Sequence, residues 1–383
     1  TGSSNDPPGQ EGITHFIEHM LFKGTTTRST LQIAEAIDDI GGHANGVTDR
    51  EGMCIYAATG VEQCEAALRL LFDLLLHSVV SEEDVSRERE VVLQEIGHVQ
   101  DAAEDWMHEL VPQTAWPDHA LGRALMGSEA SVGGVGCEPL RGYLASEVQA
   151  ADRLLVTAAG QVEHGLVVEL AAELAGEMKR GAPPQETAPP TFHAERRLIR
   201  QAGSQIHFCL ASPGVSRTDA SRHAFAVLDT VLGGGNSSRL FQEIRENRGL
   251  SYGIGSYLES YREGGLFVVA AGVSPKKFDL VLDLIDREVA RLRKEGVGQE
   301  ELARAKVQLK VALALAAEST GFRMQHLAAS ESCWGRVLPF DEIAAGVDRV
   351  TAEDVHGIAQ GVLREGERAL VAIGPFDEDG RTR

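Results

Sequence analysis

Apolar positions along the chain fall into two alternating rhythms, one at helical spacing and one at strand spacing, and the exchanges between them outline the elements. Over residues 12–24, Phe16, Ile17, Met20, Leu21 and Phe22 predict a helix that is apolar on most sides, with His15, Glu18 and His19 among its polar positions. Residues 70–76 are almost wholly apolar, broken by Asp73, and fit the core side of a second helix. A long acidic helix opens at Ser81, a plausible N-cap with acids in its first turn, where Val91, Val92 and Ile96 turn one flank toward the core. Period-2 patterns predict strands at 46–58, 154–160, 205–211, 253–271 and 369–373, and a helix is expected from about 219 to 232.

The same unit is written twice. Residues 33–46 lie on 240–253 at an offset of 207, residues 57–61 on 269–273 at 212, and residues 81–85 on 298–302 at 217. A drift of this size is what loop insertions leave in a duplicated domain. Between the copies, residues 181–191 are proline-rich and without periodicity, a semi-rigid spacer. The expected organisation is a first copy over 1–180, a linker over 181–193 and a second copy over 194–383. The class is α+β: two homologous α/β units, each a mainly antiparallel sheet with helices packed on one face. The strand at 205–211 has no counterpart before the helix at 12–24, where residues 1–10 are polar and contain two prolines. The chain as numbered is therefore expected to lack an N-terminal strand, and any targeting peptide with it.

At 383 residues the chain can bury two full cores. Lys and Arg number 36 against 57 Asp and Glu, a net charge of −21, which argues against nucleic acid and anionic membranes as partners and favours basic ones. The five cysteines are scattered and never in a C-x-x-C pair, so they suggest neither a disulfide framework nor a cysteine metal site, and a reducing, cytoplasmic setting is expected. No apolar run approaches the roughly 20 residues of a membrane span.

Within this frame, His15 and His19 are four apart and stack on one helix face, and Glu18 shares that face, so one metal ion and one base could be held there. Catalytic zinc usually takes three protein ligands and leaves a position for water. The acidic helix is the best donor of the third. Glu95 is the first candidate and His98, one turn on, is its rival; Glu88, seven before Glu95 on the same face, would orient a ligand histidine or the water. The apolar flank makes solvent exposure of Glu88 and Glu95 unexpected. Residues 233–239 (GGGNSSR) lack the pattern of a phosphate-binding loop and are read as a tight turn.

The run His15-Phe-Ile-Glu18-His19, with Glu95 76 residues beyond it and Glu88 between, resembles the inverted zinc motif of the pitrilysin family, the inverzincins. Similarity to its processing-peptidase-like branch extends over nearly the whole chain, through 41–45 (GGHAN), 116–122 (WPDHALG), 237–244 (SSRLFQEI), Arg245 and Tyr252. The resemblance implies that His15, His19 and Glu95 bind one zinc ion per chain and that Glu18 is the general base. It further implies that Arg245 and Tyr252, from the second copy, reach a bound peptide and stabilise the oxyanion, and that substrate lies as an added strand on the edge carrying Asn45 and Gly46. Alanine is usual after the Asn in this family, so Gly46 is a departure that loosens the edge. Residues 148–152 (VQAAD) are a second departure, since relatives often carry Tyr and Pro there.

Shifted by 208, the motif falls on His223, Ala226 and Val227, so the second copy cannot repeat the metal site. The expected activity is a zinc endopeptidase cutting extended or unfolded peptides, with some preference for basic ones, in a closable chamber. The competing expectation is a non-catalytic scaffold or partner subunit of a processing-peptidase-like complex. One two-copy chain is half of the four-unit chamber typical of the family, so pairing with itself or with a sister chain is expected.

Overall fold

The structure, a computed structural model, describes residues 1–176, 178–181 and 188–381. Residues 182–187 of the expected linker lie outside them. The chain divides into two compact units that exchange segments: Thr1–Asp101, Arg123–Glu186 and Thr320–Ala328 form the first, and Ala102–Gly122, Thr187–Ser319 and Ala329–Arg383 the second.

The first unit begins with α1 (Ile13–Leu21), α2 (Thr30–Asp39), the hairpin β1 (His43–Thr48) and β2 (Met53–Ala58), α3 (Cys64–His77) and α4 (Glu82–Asp101). The helix α5 (Ala103–Ala115) belongs to the second unit, and α6 (Glu129–Gly134), α7 (Cys137–Tyr143) and α8 (His164–Ala175) to the first. α1 starts where it does because of Gly12. Its φ is +92°, and a Cβ there would lie 2.4 Å from the Met126 carbonyl oxygen, so only glycine fits. α4 is capped as expected, the Ser81 hydroxyl accepting from the Asp84 amide at 3.1 Å. Ile13, Phe16, Ile17, Met20 and Leu21 of α1 share a buried core with Val85, Val92 and Ile96 of α4 and Leu140 of α7. Each such side chain contributes about 1.5–3 kcal/mol by burial, which locks the two helices that carry the candidate ligands.

The second unit continues with β3 (Arg196–Arg200), β4 (Ile206–Pro213), α9 (Arg222–Leu232), β5 (Ser251–Ser260), β6 (Gly265–Val273), α10 (Phe278–Glu295) and α11 (Gln299–Ala316). It closes with α13 (Phe340–Arg349), α14 (Ala352–Ala359) and β7 (Ala369–Gly374), after α12 (Thr320–Trp334), which the two units share. Its sheet has the order β3-β7-β4-β6-β5, parallel between β3 and β7 and antiparallel elsewhere. β4 alternates strictly: Phe208 and Leu210 face the core formed with α9 and α10, while Cys209 and Ala211 face Leu110 and Val111 of α5. This sheet is therefore covered on both faces rather than the one expected, because a helix from the first half of the sequence supplies the second layer.

The α+β class stands, with differences in the strands. The patterns at 46–58 and 253–271 are each a hairpin, not one strand. The polar run at 49–52 closes the first turn, Asp49 N–H donating to Gly52 at 2.7 Å, and Tyr261 N–H does the same to Gly264 at 2.7 Å. Residues 154–160 form no strand: no described residue pairs with them, whereas β7 in the second unit lies between β3 and β4. β3 went unanticipated because three arginines in its five residues hide any alternation. Among the described residues no helix is long and apolar enough to cross a membrane.

Candidate metal centre

α1 and α4 pack so that their polar stripes meet. The rings of His15 and His19 lie edge to face with centroids 4.8 Å apart. Glu95 reaches them from α4, its Oε2 3.6 Å from His15 Nε2 and 3.4 Å from His19 Nε2. Two ligand atoms each about 2.1 Å from one zinc ion at the tetrahedral angle would be about 3.4 Å apart, so both spacings suit a shared ion. Among the described residues these three form the one group of His, Cys, Asp and Glu side chains placed to hold a metal. The rival, His98, is exposed and stands apart from the group.

The electrostatics fit that donor set. Burial, aided by the neighbouring His19, holds the His15 imidazole down at about 4, in the neutral form a metal requires. For His19 burial pulls in the same direction, but Glu95, Glu88 and Glu18 outweigh it and the net shift is upward. Glu95 is held below the ordinary carboxyl range chiefly by its contact with His19. The second ring nitrogen of His19, Nδ1, faces Glu88 Oε2 at 3.6 Å, and that carboxylate pairs with Lys23 Nζ at 2.7 Å. Glu88 thus lies beside the second ring nitrogen of His19. His15 has no such support: its Nδ1 is buried without a hydrogen-bond partner among the described residues.

Glu18 lies on α1 between the two histidines. Its Oε2 accepts a short hydrogen bond from the Thr48 hydroxyl on β1. Burial raises its pKa, with Thr48 working against the rise. Gly46, two residues earlier on the same strand face, makes room for it: a Cβ on Gly46 would come within 2.5 Å of Glu18 Cγ. Among the described residues β1 pairs with β2 alone, so its other edge has no strand partner; the Asn45 Oδ1 accepts from the Gly46 amide at 2.9 Å.

One expectation about α4 fails. Glu88 is buried, at 4 % exposure, but the Glu95 side chain is 44 % exposed and Val91 is exposed too. Seven residues keep the two carboxylates on one line, yet Lys23 covers Glu88, whereas Glu95 sits at the open end against the imidazoles.

In the second unit, Arg245 lies on a π-helical turn, Phe241–Glu246, with its guanidinium 4.7 Å from the Phe241 ring centre and 5.6 Å from that of Tyr252. Tyr252, near the start of β5, is 85 % exposed. The second copy keeps only one ligand type of this group: at the offsets found above, His15 corresponds to His223, but Glu18, His19, Glu88 and Glu95 correspond to Ala226, Val227, Ala305 and Ala312.

Comparison with known proteins shows the family. The profile of the insulinase family, peptidase family M16, matches residues 1–129, and that of the peptidase M16 inactive domain matches residues 145–309. A Streptomyces coelicolor protein described as an uncharacterized zinc protease is 38% identical over 395 residues, covering 100% of this chain and 84% of that protein. The chain belongs to the M16 peptidase family. A second M16 relative, an uncharacterized zinc protease of Bacillus subtilis, is 33% identical over 375 residues, covering 98% of this chain and 91% of its own length. The fold is that of M16 neighbours. A Pseudomonas fluorescens structure described as a peptidase M16 inactive domain superposes with a TM-score of 0.88 at 21% identity, covering 100% of this chain and 92% of that one. A Helicobacter pylori protease gives 0.87 at 17%, covering 97% and 92%. This is the family to which the sequence resemblance pointed.

Sequence reasoning did not single out Thr48 or Lys23. Thr48 was findable, since it shares the inward phase of β1 with Gly46. Lys23 lies only four residues beyond His19, but its pairing with Glu88 depends on how α1 and α4 cross.

Proposed function

We propose that this M16 chain is a zinc-dependent endopeptidase acting on extended peptides. The observation that carries the reading is the convergence of His15 Nε2, His19 Nε2 and Glu95 Oε2 at spacings suited to one tetrahedral ion. The relatives named as zinc proteases support the choice of metal. The chemistry such an ion supplies is Lewis-acid polarisation of a carbonyl and acidification of a water.

The chain's own residues do the rest. Glu18 takes a proton from the attacking water and returns it to the leaving amine. Its raised pKa brings it nearer to neutrality, where a base both accepts and releases a proton well, and Thr48 fixes one of its oxygens so that the other works. Glu88 holds the orientation of His19. The open edge of β1 at Asn45 and Gly46 offers a peptide backbone the ladder partners of a missing strand, which favours unfolded chains over folded ones. The same reading assigns Arg245 and Tyr252 to contact with the peptide and its oxyanion, basic residues as a weak preference, and a homodimer or a pair with a sister chain as the working form. Products cut from a random peptide pool and mapped by mass spectrometry should appear without chelator and vanish with it; an unchanged product set would refute the reading.

The alternative, a non-catalytic partner subunit, draws on the inactive-domain description matched by residues 145–309. The second copy has histidine at only one of the three ligand positions, His223, with valine and alanine at the others, whereas the first copy keeps every ligand type.

A further inference from the structure

An α-helix leaves its first N–H groups unpaired, and a Ser, Thr, Asp or Asn at the N-cap usually satisfies one of them. α1 cannot use this device. Its N-cap is Gly12, where the left-handed backbone and the Met126 carbonyl exclude any side chain. The cap is supplied from elsewhere. Asp6, 2 % exposed and six residues upstream, accepts from the Gly12 amide through Oδ2 at 2.8 Å and from the Thr14 amide through Oδ1 at 3.3 Å. The Thr14 hydroxyl donates to the same Oδ1, and the Tyr143 hydroxyl from α7 lies 3.4 Å from it. The backbone of Asp6 is held as well: its carbonyl accepts from the Arg123 guanidinium at 2.7 Å, and the Arg123 carbonyl accepts from Arg50 in the turn between β1 and β2. Asp6 therefore closes a ring of contacts running through α1, β1 and its turn.

The ring bears on the metal centre through His15. A ligand histidine is normally aimed by a hydrogen bond at its second ring nitrogen. His19 has Glu88 near that position, and His15, whose Nδ1 has no partner among the described residues, does not. The aim of His15 must come from its backbone, the residue after Thr14 in the first turn of α1. We propose that Asp6 is a positioning residue of the metal centre: its buried carboxylate caps α1 in place of Gly12 and so fixes where His15 presents its imidazole. Burial pushes the Asp6 carboxyl up to about 6, which is a cost that a purely structural cap on the surface would not carry.

The inference rests on the zinc reading, and one experiment separates the two. The full chain is stripped of metal, then titrated with zinc against a chromophoric chelator and, in parallel, loaded with cobalt(II) for its visible spectrum. Asp6→Asn should weaken zinc binding about tenfold or more and shift the cobalt bands, while Thr14→Ser, which keeps the hydroxyl, should leave both as in the wild type. If Asp6→Asn binds zinc as tightly and gives the same cobalt spectrum, the inference is overturned even where its melting temperature falls, because the cap then serves only the fold. If the wild-type chain itself takes up no zinc, the reading of the site fails and the inference with it. Should Asp6→Asn not fold, Thr14→Val removes a single hydroxyl partner of the carboxylate and carries the same expected and contrary results.

Discussion

The chemistry of the centre depends on a few atoms whose neighbours restrict them closely. Glu18 is bounded by Thr48 on one oxygen and by the missing side chain of Gly46 on the other. Glycine at this position looks from the sequence like a loosened edge; in the structure it leaves the space that the Glu18 side chain occupies. Gly46→Ala should therefore displace Glu18 without touching the ligands. A displacement near 1 Å commonly costs about a hundredfold in rate, so peptide hydrolysis should fall on that scale while zinc content stays at the wild-type level. Steady-state kinetics beside elemental analysis checks both halves; unchanged kcat would mean that the side chain relaxes elsewhere at no cost.

At the level of elements, α1 and α4 were legible in outline because helical periodicity and the Ser81 cap are local signals. What decided the site was not local. Glu95 and His98 could not be separated from spacing alone, since both follow the same helix at plausible reach; the crossing of α1 over α4 selects Glu95. The strand expected at 154–160 failed for the same reason, as alternation marks a segment able to enter a sheet but not the neighbour it needs. Asp6 gave no signal at all, lying in a polar segment whose value appears only once it meets the glycine that begins α1. In the second unit, α9 and β5 are joined by a half-buried pair, Asp229 Oδ1 accepting from the Ser256 hydroxyl at 2.5 Å, and burial raises the Asp229 pKa to about 6. A carboxyl raised in the folded state binds its proton more tightly there than when unfolded. Its ionised form thus opposes folding above about pH 6, and that opposition is relieved as the pH falls towards the unfolded value near 4. Asp229→Asn should accordingly raise stability at pH 7 by about 1–3 kcal/mol, with the gain shrinking towards pH 4 in urea melts. A loss at pH 7 would show that the Ser256 bond outweighs the burial.

For the whole molecule, the duplicated sequence folds into two units that trade segments, α5 going to the second and the start of α12 to the first. The first copy carries His15, His19 and Glu95, whereas the second keeps a histidine, His223, only at the position of His15 and has valine and alanine at the other two. On the proposed pairing, light scattering at micromolar concentration should return a dimer, alone or with a sister chain; a strict monomer would count against pairing. The charge of −21 should make hydrolysis of basic peptides faster at low salt than at high, because exposed charges are screened within about 8 Å at physiological ionic strength. The account as a whole turns on whether the group formed by His15, His19 and Glu95 holds an ion that Glu18 puts to use. The most direct measurement is zinc content and quenched-peptide hydrolysis on the same samples of wild type and Glu18→Gln. The account predicts one zinc per chain in both, with hydrolysis in the wild type that chelator removes and zinc restores, and a loss of about 10²–10⁴-fold or more in the variant. Hydrolysis that persists in zinc-loaded Glu18→Gln, or a wild-type chain that holds zinc and cuts no peptide, would contradict it.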